Sequence, residues 1–203
     1  GDFATLTAAL ANITSNGLTG PVILQLQAGY TSAGETFPLV ISQNTCPNSI
    51  TIRPAVTGLS VTSANATATF SVDGGDNVTF EGRVGGLGLA KDLIIENTNA
   101  AGNAIRFIND ASSNIVQYCV VRGQNNTAAG GVILIGTTTG TTGNDNITID
   151  NCDVRDPATG GTAFPNNCIL SSGTALKTND NISVTNNNIF NFFNATLTTT
   201  GVF

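Results

Sequence analysis

Asn146-Ile-Thr-Ile-Asp-Asn-Cys-Asp-Val-Arg155 decides the fold, because weakened copies of it lie on both sides. Upstream stand Asn114-Ile-Val-Gln-Tyr-Cys-Val-Val-Arg122 and Asp92-Leu-Ile-Ile-Glu-Asn-Thr98, and downstream stands Asn181-Ile-Ser-Val-Thr-Asn-Asn-Asn-Ile189. In this alignment Cys119 matches Cys152 and Arg122 matches Arg155. Ile95, Val116, Ile149 and Val184 share one place, at spacings of 21, 33 and 35 residues. A unit that recurs while its loops vary in length predicts a solenoid. Within each copy apolar and polar residues alternate, Ile147 and Ile149 against Thr148 and Asp150, then Cys152 and Val154 against Asp153 and Arg155. Period two is the pattern of a strand with one buried face. A second recurring block supplies another wall, with Ala104-Ile-Arg-Phe, Val132-Ile-Leu-Ile, Cys168-Ile-Leu-Ser and Val202-Phe203 falling once per unit. Equivalent strands must then stack in parallel around a common interior that no single unit could bury. The predicted fold is all-β, a right-handed parallel β-helix, with residues 1–203 forming one domain.

Composition agrees with that architecture. The 203 residues include 25 Asn, 30 Thr and 23 Gly, and only 10% are charged. Such a chain suits short β-branched strands joined by tight turns, where Asn and Gly tolerate left-handed backbone. The net charge of −6 and the seven scattered basic residues leave no electrostatic footprint for nucleic acid. No apolar run is long enough for insertion into a membrane. Residues 1–17 carry the one helical pattern: Phe3, Leu6, Leu10 and Ile13 form a stripe, Thr5 is placed to cap, and Gly17 to terminate. This segment is expected to lid the first rung. The block ending at Phe203 stops partway through a rung with no polar cap, which predicts that the polypeptide continues into further domains. The four cysteines, Cys46, Cys119, Cys152 and Cys168, include no CxxC pair, and the chain has no histidine. A structural zinc site is therefore not expected. Cys119 and Cys152 should face inward on neighbouring rungs as stacked thiols, since parallel Cα–Cβ vectors aim sulfurs poorly for a disulfide.

Two resemblances follow from particular segments. The opening Gly1-Asp-Phe-Ala-Thr-Leu-Thr-Ala-Ala-Leu10 looks like that of pectin methylesterases, but the Gln, Asp and Arg motifs of their active site are missing. More of the chain resembles the β-helix modules of large secreted and cell-surface proteins of gliding, type IX-secreting bacteria. The segments that carry this likeness include Ser49-Ile-Thr-Ile-Arg-Pro54, Asn77-Val-Thr-Phe-Glu-Gly82, Leu93-Ile-Ile-Glu-Asn-Thr98, Ile108-Asn-Asp-Ala-Ser112, Gly131-Val-Ile-Leu134, Thr142 to Cys152 and Asn186-Asn-Asn-Ile-Phe-Asn191. Membership implies an extracellular or cell-surface address and a pectate-lyase-like fold, and it transfers no catalytic residue.

Candidate chemistry concentrates on the outward residues of the central stretch. Asp150, Asp153 and Asp156 offer oxygen ligands of the kind calcium prefers, beside Arg155 and, one rung above, Arg122, an arrangement compatible with calcium-dependent β-elimination on a uronate. The competing interpretation is a solvated face of alternating charge, with Val120 and Asn188 as the neighbours of Asp153. Glu96, Gln117, Asp150 and Thr185 are expected to form a second outward ladder, in which Gln117 separates two carboxylates too widely for a retaining glycosidase. Asn151, Asn186 and Asn97 should occupy one corner file, interrupted by Tyr118, with their amides bonding from rung to rung. Without histidine no ordinary nucleophile triad can form. Several Asn-x-Ser/Thr triplets, from Asn12 to Asn194, arise from composition alone. Thr148, with Ile115 and Ser183 as neighbours, lacks the regular threonine array that ice binding needs. The resulting expectation is a non-catalytic extracellular stalk or adhesive module whose partner is a polysaccharide or cell-surface glycan. The alternative is a fragment of a carbohydrate-active enzyme.

Overall fold

A computed structural model describes residues 2–42, 48–157 and 164–202. After helix α1 (Leu6–Asn16) the chain winds through six successive rungs. The first contributes β1 (Val22–Leu26) and β2 (Leu39–Ser42), and the second β3 (Ile50–Pro54), β4 (Leu59–Ser63) and β5 (Ala68–Asp73). The third holds β6 (Val78–Glu81), β7 (Leu93–Asn97) and β8 (Asn103–Ile108), and the fourth β9 (Ile115–Gln117), β10 (Cys119–Gly123) and β11 (Ile133–Ile135). The fifth has β12 (Thr148–Asp150), β13 (Asp153–Arg155) and β14 (Asn167–Ser171), and the sixth β15 (Ser183–Thr185), β16 (Asn188–Ile189) and β17 (Thr200–Val202). Among the described residues every interstrand pairing in the three sheets is parallel. Their orders are β1-β3-β6-β9-β12-β15, β4-β7-β10-β13-β16 and β2-β5-β8-β11-β14-β17. The architecture is all-β and solenoid-like.

Alternation in the sequence becomes inward and outward files. In the first sheet Leu24, Ile52, Phe80, Val116, Ile149 and Val184 stand in register, one per rung. The four middle members of that file are fully buried. Phe70 and Phe80 from different sheets meet edge to face at a centroid distance of 4.9 Å, the favoured aromatic geometry. Cys119 and Cys152 face inward in consecutive rungs, and together with Cys168 they are free thiols. Burial pushes the Cys119 thiol well above its ordinary range and Cys168 up to about 12, which leaves them as small packing groups with little nucleophilic character. Cys46 lies outside the described residues.

The register corrects one alignment. Ile95 does not share the file of Val116; it pairs with Val121 and Val61 in the second sheet, and the first-sheet equivalent of Val116 in its rung is Phe80. The 21-residue spacing runs from the second sheet past β8 of the third to the first sheet of the following rung. Both sheets carry the same period-two pattern, so alternation alone cannot tell them apart.

At the amino-terminal end the Thr5 hydroxyl caps α1 by accepting the Ala8 N–H at 3.0 Å, and Gly17, at φ 70°, closes the helix with its N–H on the Ile13 carbonyl. The Glu35 carboxylate also accepts the Leu6 and Thr7 N–H groups, each at 2.7 Å, so a charge from the following loop occupies the positive end of the helix. Leu6, Ala9 and Leu10 are buried as α1 lies against β2. Phe3, expected on the same stripe, precedes the helix and is 46% exposed. The first rung has no strand in the second sheet; a 3-10 turn at Ser32–Gly34 stands there, and its Ser32 hydroxyl accepts the Thr62 N–H at 2.9 Å.

Truncating a rung's inward side chain removes contacts with the rungs above and below. Ile149→Ala is expected to lower the free energy of unfolding by about 2–5 kcal/mol. Thr148→Ala, outward on the same strand, should change it by less than about 0.5 kcal/mol. Urea denaturation of the two variants reads the difference, and equal losses would contradict a one-sided interior.

Candidate functional site

The short corner between the first and second sheets fixes the geometry of the predicted site. Between β12 and β13 the chain turns through Asn151, at φ 54°; the same place is Tyr118, at φ 52°, one rung above and Asn186, at φ 55°, one rung below. Asn tolerates left-handed backbone and a bulky aromatic does so only at a cost. Asn97 is not part of this file: it ends β7, where its buried amide donates to the Asn65 and Asn103 carbonyls at 3.0 Å each. The corner's third-rung member is Gly82, whose N–H bonds the Gln117 carbonyl. A Cβ there would sit 1.7 Å from the Tyr118 carbonyl oxygen, so only glycine fits.

The outward file beside that corner also differs by one member. Glu81, Gln117, Asp150 and Thr185 stand in register, and Glu96, expected there, instead pairs with Arg122 in the second sheet. Glu81 and Asp150 are therefore two rungs apart, about 10 Å, with Gln117 between them donating to Glu81 at 2.8 Å. Arg83 grips Glu81 through two side-chain bonds of 2.8 and 2.7 Å, and its guanidinium lies 4.0 Å from the centre of the Tyr118 ring. Burial alone would raise the Glu81 carboxyl, but the Arg83 contacts outweigh it and hold the group below its ordinary range. This Glu81–Arg83–Tyr118 constellation was hidden in the sequence. Its one visible sign was an aromatic in an asparagine corner.

Each predicted site residue already has a partner, and Asp156, expected to face outward, is buried. Asp150 accepts from the Thr185 hydroxyl at 2.7 Å, the Asn186 amide at 2.9 Å and the Asn151 amide at 2.6 Å, which together hold its carboxyl below the ordinary value. Asp153 has Val120 and Asn188 as register neighbours, as the alignment predicted. Burial would raise its carboxyl, and the Lys91 ammonium at 2.5 Å with the Asn188 amide at 2.8 Å reverses the direction. Lys91 comes from the third rung and reaches Asp153 on the fifth, crossing the rung of Val120. Asp156 is buried, with the Arg155 Nε at 2.9 Å and the Asn191 amide at 3.2 Å. Arg155 also lies over the Phe190 ring at 5.1 Å, and Arg122 stands in register with it, 3.7 Å from Glu96. The three aspartates are thus engaged separately, and the described residues contain no group of three acidic, His or Cys side chains able to hold a metal ion.

The loop over residues 138–143 is fastened to the rung before it. Asp110 receives the Thr138 hydroxyl and the N–H groups of Thr141, Thr142 and Gly143, gathering residues 138–143 around one carboxylate. Burial works against the charge, yet these donors bring its value down to about 2. The loop from Gly82 follows a different plan, with a 3-10 turn at Val84–Gly86 and Leu87 and Leu89 left exposed. No helix follows that could complete a phosphate cradle.

Compared with protein-family models, curated proteins and solved structures, the chain finds no match.

The Asp110 anchor is measurable through pH. A carboxylate whose folded value is depressed stabilises the fold above its unfolded value and loses that contribution as pH falls through the folded one. The stability gap between the native sequence and Asp110→Ala should therefore narrow as pH drops from about 4 to about 2. A gap independent of pH in thermal melts would contradict the anchoring role.

Proposed function

We propose that the chain is a right-handed parallel β-helix module of a larger secreted or surface-attached protein, without catalysis, serving as a stiff stalk or adhesive wall toward a polysaccharide or cell-surface glycan. One observation carries this reading. The outward Asp150 and Asp153 and the buried Asp156 each accept from an amide, hydroxyl or cation of the same or a neighbouring rung, so the face that would have to bind calcium and substrate is spent on holding the stack together. A lyase or hydrolase needs at least one carboxylate or base free to change partners during the reaction. The in-register rungs provide a rigid, laterally flat support. The loops at residues 124–132, 136–147 and 172–182 leave it on the outside, where a recognition surface is most cheaply varied. The resemblance of several segments to bacterial surface modules favours an extracellular setting.

The enzyme reading makes the opposite forecast. Incubated with polygalacturonate and calcium, the protein is expected to release no unsaturated product, and it should be retained on a glycan array or on whole cells. Release of such product, abolished by Asp153→Ala, would overturn the proposal in favour of calcium-dependent elimination.

A further inference from the structure

The amino-terminal end of the first sheet is left open. Strand β1 pairs with β3 on one side only and is the terminal strand of its sheet. The Val22 N–H bonds the Ser49 carbonyl, and the Leu26 carbonyl receives the Ala55 N–H. The main-chain groups of Val22, Leu24 and Leu26 therefore point at β3, and those of Ile23 and Gln25, between them, point to the free edge. No bond to the Ile23 N–H or carbonyl, or to the Gln25 N–H, occurs among the described residues. The inward side chains tell the same story. Ile52, Phe80, Val116 and Ile149 of this file are fully covered, whereas Val22 and Leu24 are only half-buried. Helix α1 shields β2 of the third sheet, not the top of the first. Between the two lies a cleft of about 670 Å³, walled by Phe3, Leu6 and Ala9 on one side and Val22, Leu24 and Leu26 on the other. That size falls within the usual range for ligand sites.

We propose that this slot receives an extended peptide segment, added as one further strand on β1. An unpaired strand edge is complementary to the backbone of another strand and to little else. The alternation of inward Val22, Leu24 and Leu26 with outward Ile23 and Gln25 asks for apolar residues at every second position of the incoming segment, directed onto the half-covered interior. A second copy of the chain is a poor occupant. It would have to bring a whole rung to strand spacing, about 4.8 Å, and α1, roughly 10 Å across, stands in the layer its neighbouring sheet would need. One strand fits beside the helix where a rung does not. The site lies at the opposite end of the molecule from the outward charges of the fifth rung and is independent of the adhesive reading.

The test uses the whole chain and a synthetic peptide with the sequence Ser-Ile-Thr-Ile-Arg-Pro, which matches residues 49–54 and has the required alternation. A peptide with serine in place of both isoleucines is the control. Amide hydrogen exchange by NMR is expected to show the Ile23 and Gln25 N–H groups slowed at least tenfold by the first peptide and unaffected by the second. The Val22 N–H, already bonded to the Ser49 carbonyl, should not change. Ile23→Pro removes a free-edge donor without touching a bond within the protein, as proline is tolerated on an edge strand with its nitrogen outward. It should weaken binding at least tenfold while leaving the melting temperature in place, and Gln25→Pro serves as the second variant. Lack of protection by the alternating peptide, equal protection by the serine control, undiminished binding by both folded proline variants, or concentration-dependent dimerisation through β1 without peptide would each overturn the proposal.

Discussion

A rung of this molecule cannot satisfy its own corners. Where the chain leaves one sheet for the next, the amides and carbonyls of the bend have no strand to pair with, and burying them unpaired costs about as much as a lost hydrogen bond each. The remedy throughout is to borrow partners from the adjacent rung. Asp76 accepts the Ser112 N–H at 2.8 Å, Ser112 accepts the Asp145 N–H at 3.1 Å, and Asp145 accepts the Asp180 N–H at 2.8 Å, one side chain per rung in a continuous file. Buried asparagines do the same from inside. Asn114 takes the Val78 N–H and gives to the Gly75 carbonyl, and Asn144 takes the Ala111 N–H and gives to the Gly136 carbonyl. Apart from the Asn144 to Gly136 bond, which stays within one rung, these bonds reach residues roughly one winding away in sequence and so hold the rungs in register alongside the apolar files.

That constraint shapes the outer surface as well. Stacking in register places equivalent outward side chains about 4.8 Å apart, where like charges repel and unlike ones or amides bond. The faces therefore read as ladders of mixed character, Glu81 with Gln117, Asp150 with Thr185 and Asn186, Asp153 with Asn188. Longer cations tie rungs further apart, as Lys91 does to Asp153. Arg122 and Arg155 are adjacent like charges, and each has a carboxylate at its side, Glu96 and Asp156. A surface so closely matched within itself is well suited to rigidity. The freedom to recognise something else is left to the loops and to the uncovered edge of β1.

The parallel stacking and the inward files of β9 to β17 were legible because alternation and the Asn146 to Arg155 repeat survive in several copies. The helix was legible from Thr5 and Gly17. What escaped has a common cause, since it depends on which rung lies beside which. Ile95 and Glu96 were set in the wrong sheet because two sheets share one period, and β4, Leu59–Ser63, went unnoticed although it alternates as cleanly as its neighbours. Glu35 at the helix start, Lys91 on Asp153 and Arg83 on Tyr118 are contacts between positions 28, 62 and 35 residues apart. No local pattern announces such pairs. The candidate aspartates were found from the strand pattern, but their availability could be judged only from the partners that the stacking brings to them.

The central claim is that successive rungs lie parallel and in register about one dry interior, and methyl NOE spectroscopy tests it most directly. With Val116, Ile149 and Val184 assigned, the Ile149 methyls should show cross-peaks to the methyls of both valines, which sit one rung to either side. Ile149 methyls that see neither valine, or close Hα–Hα contacts of the antiparallel kind between β12 and its neighbours, would contradict the account.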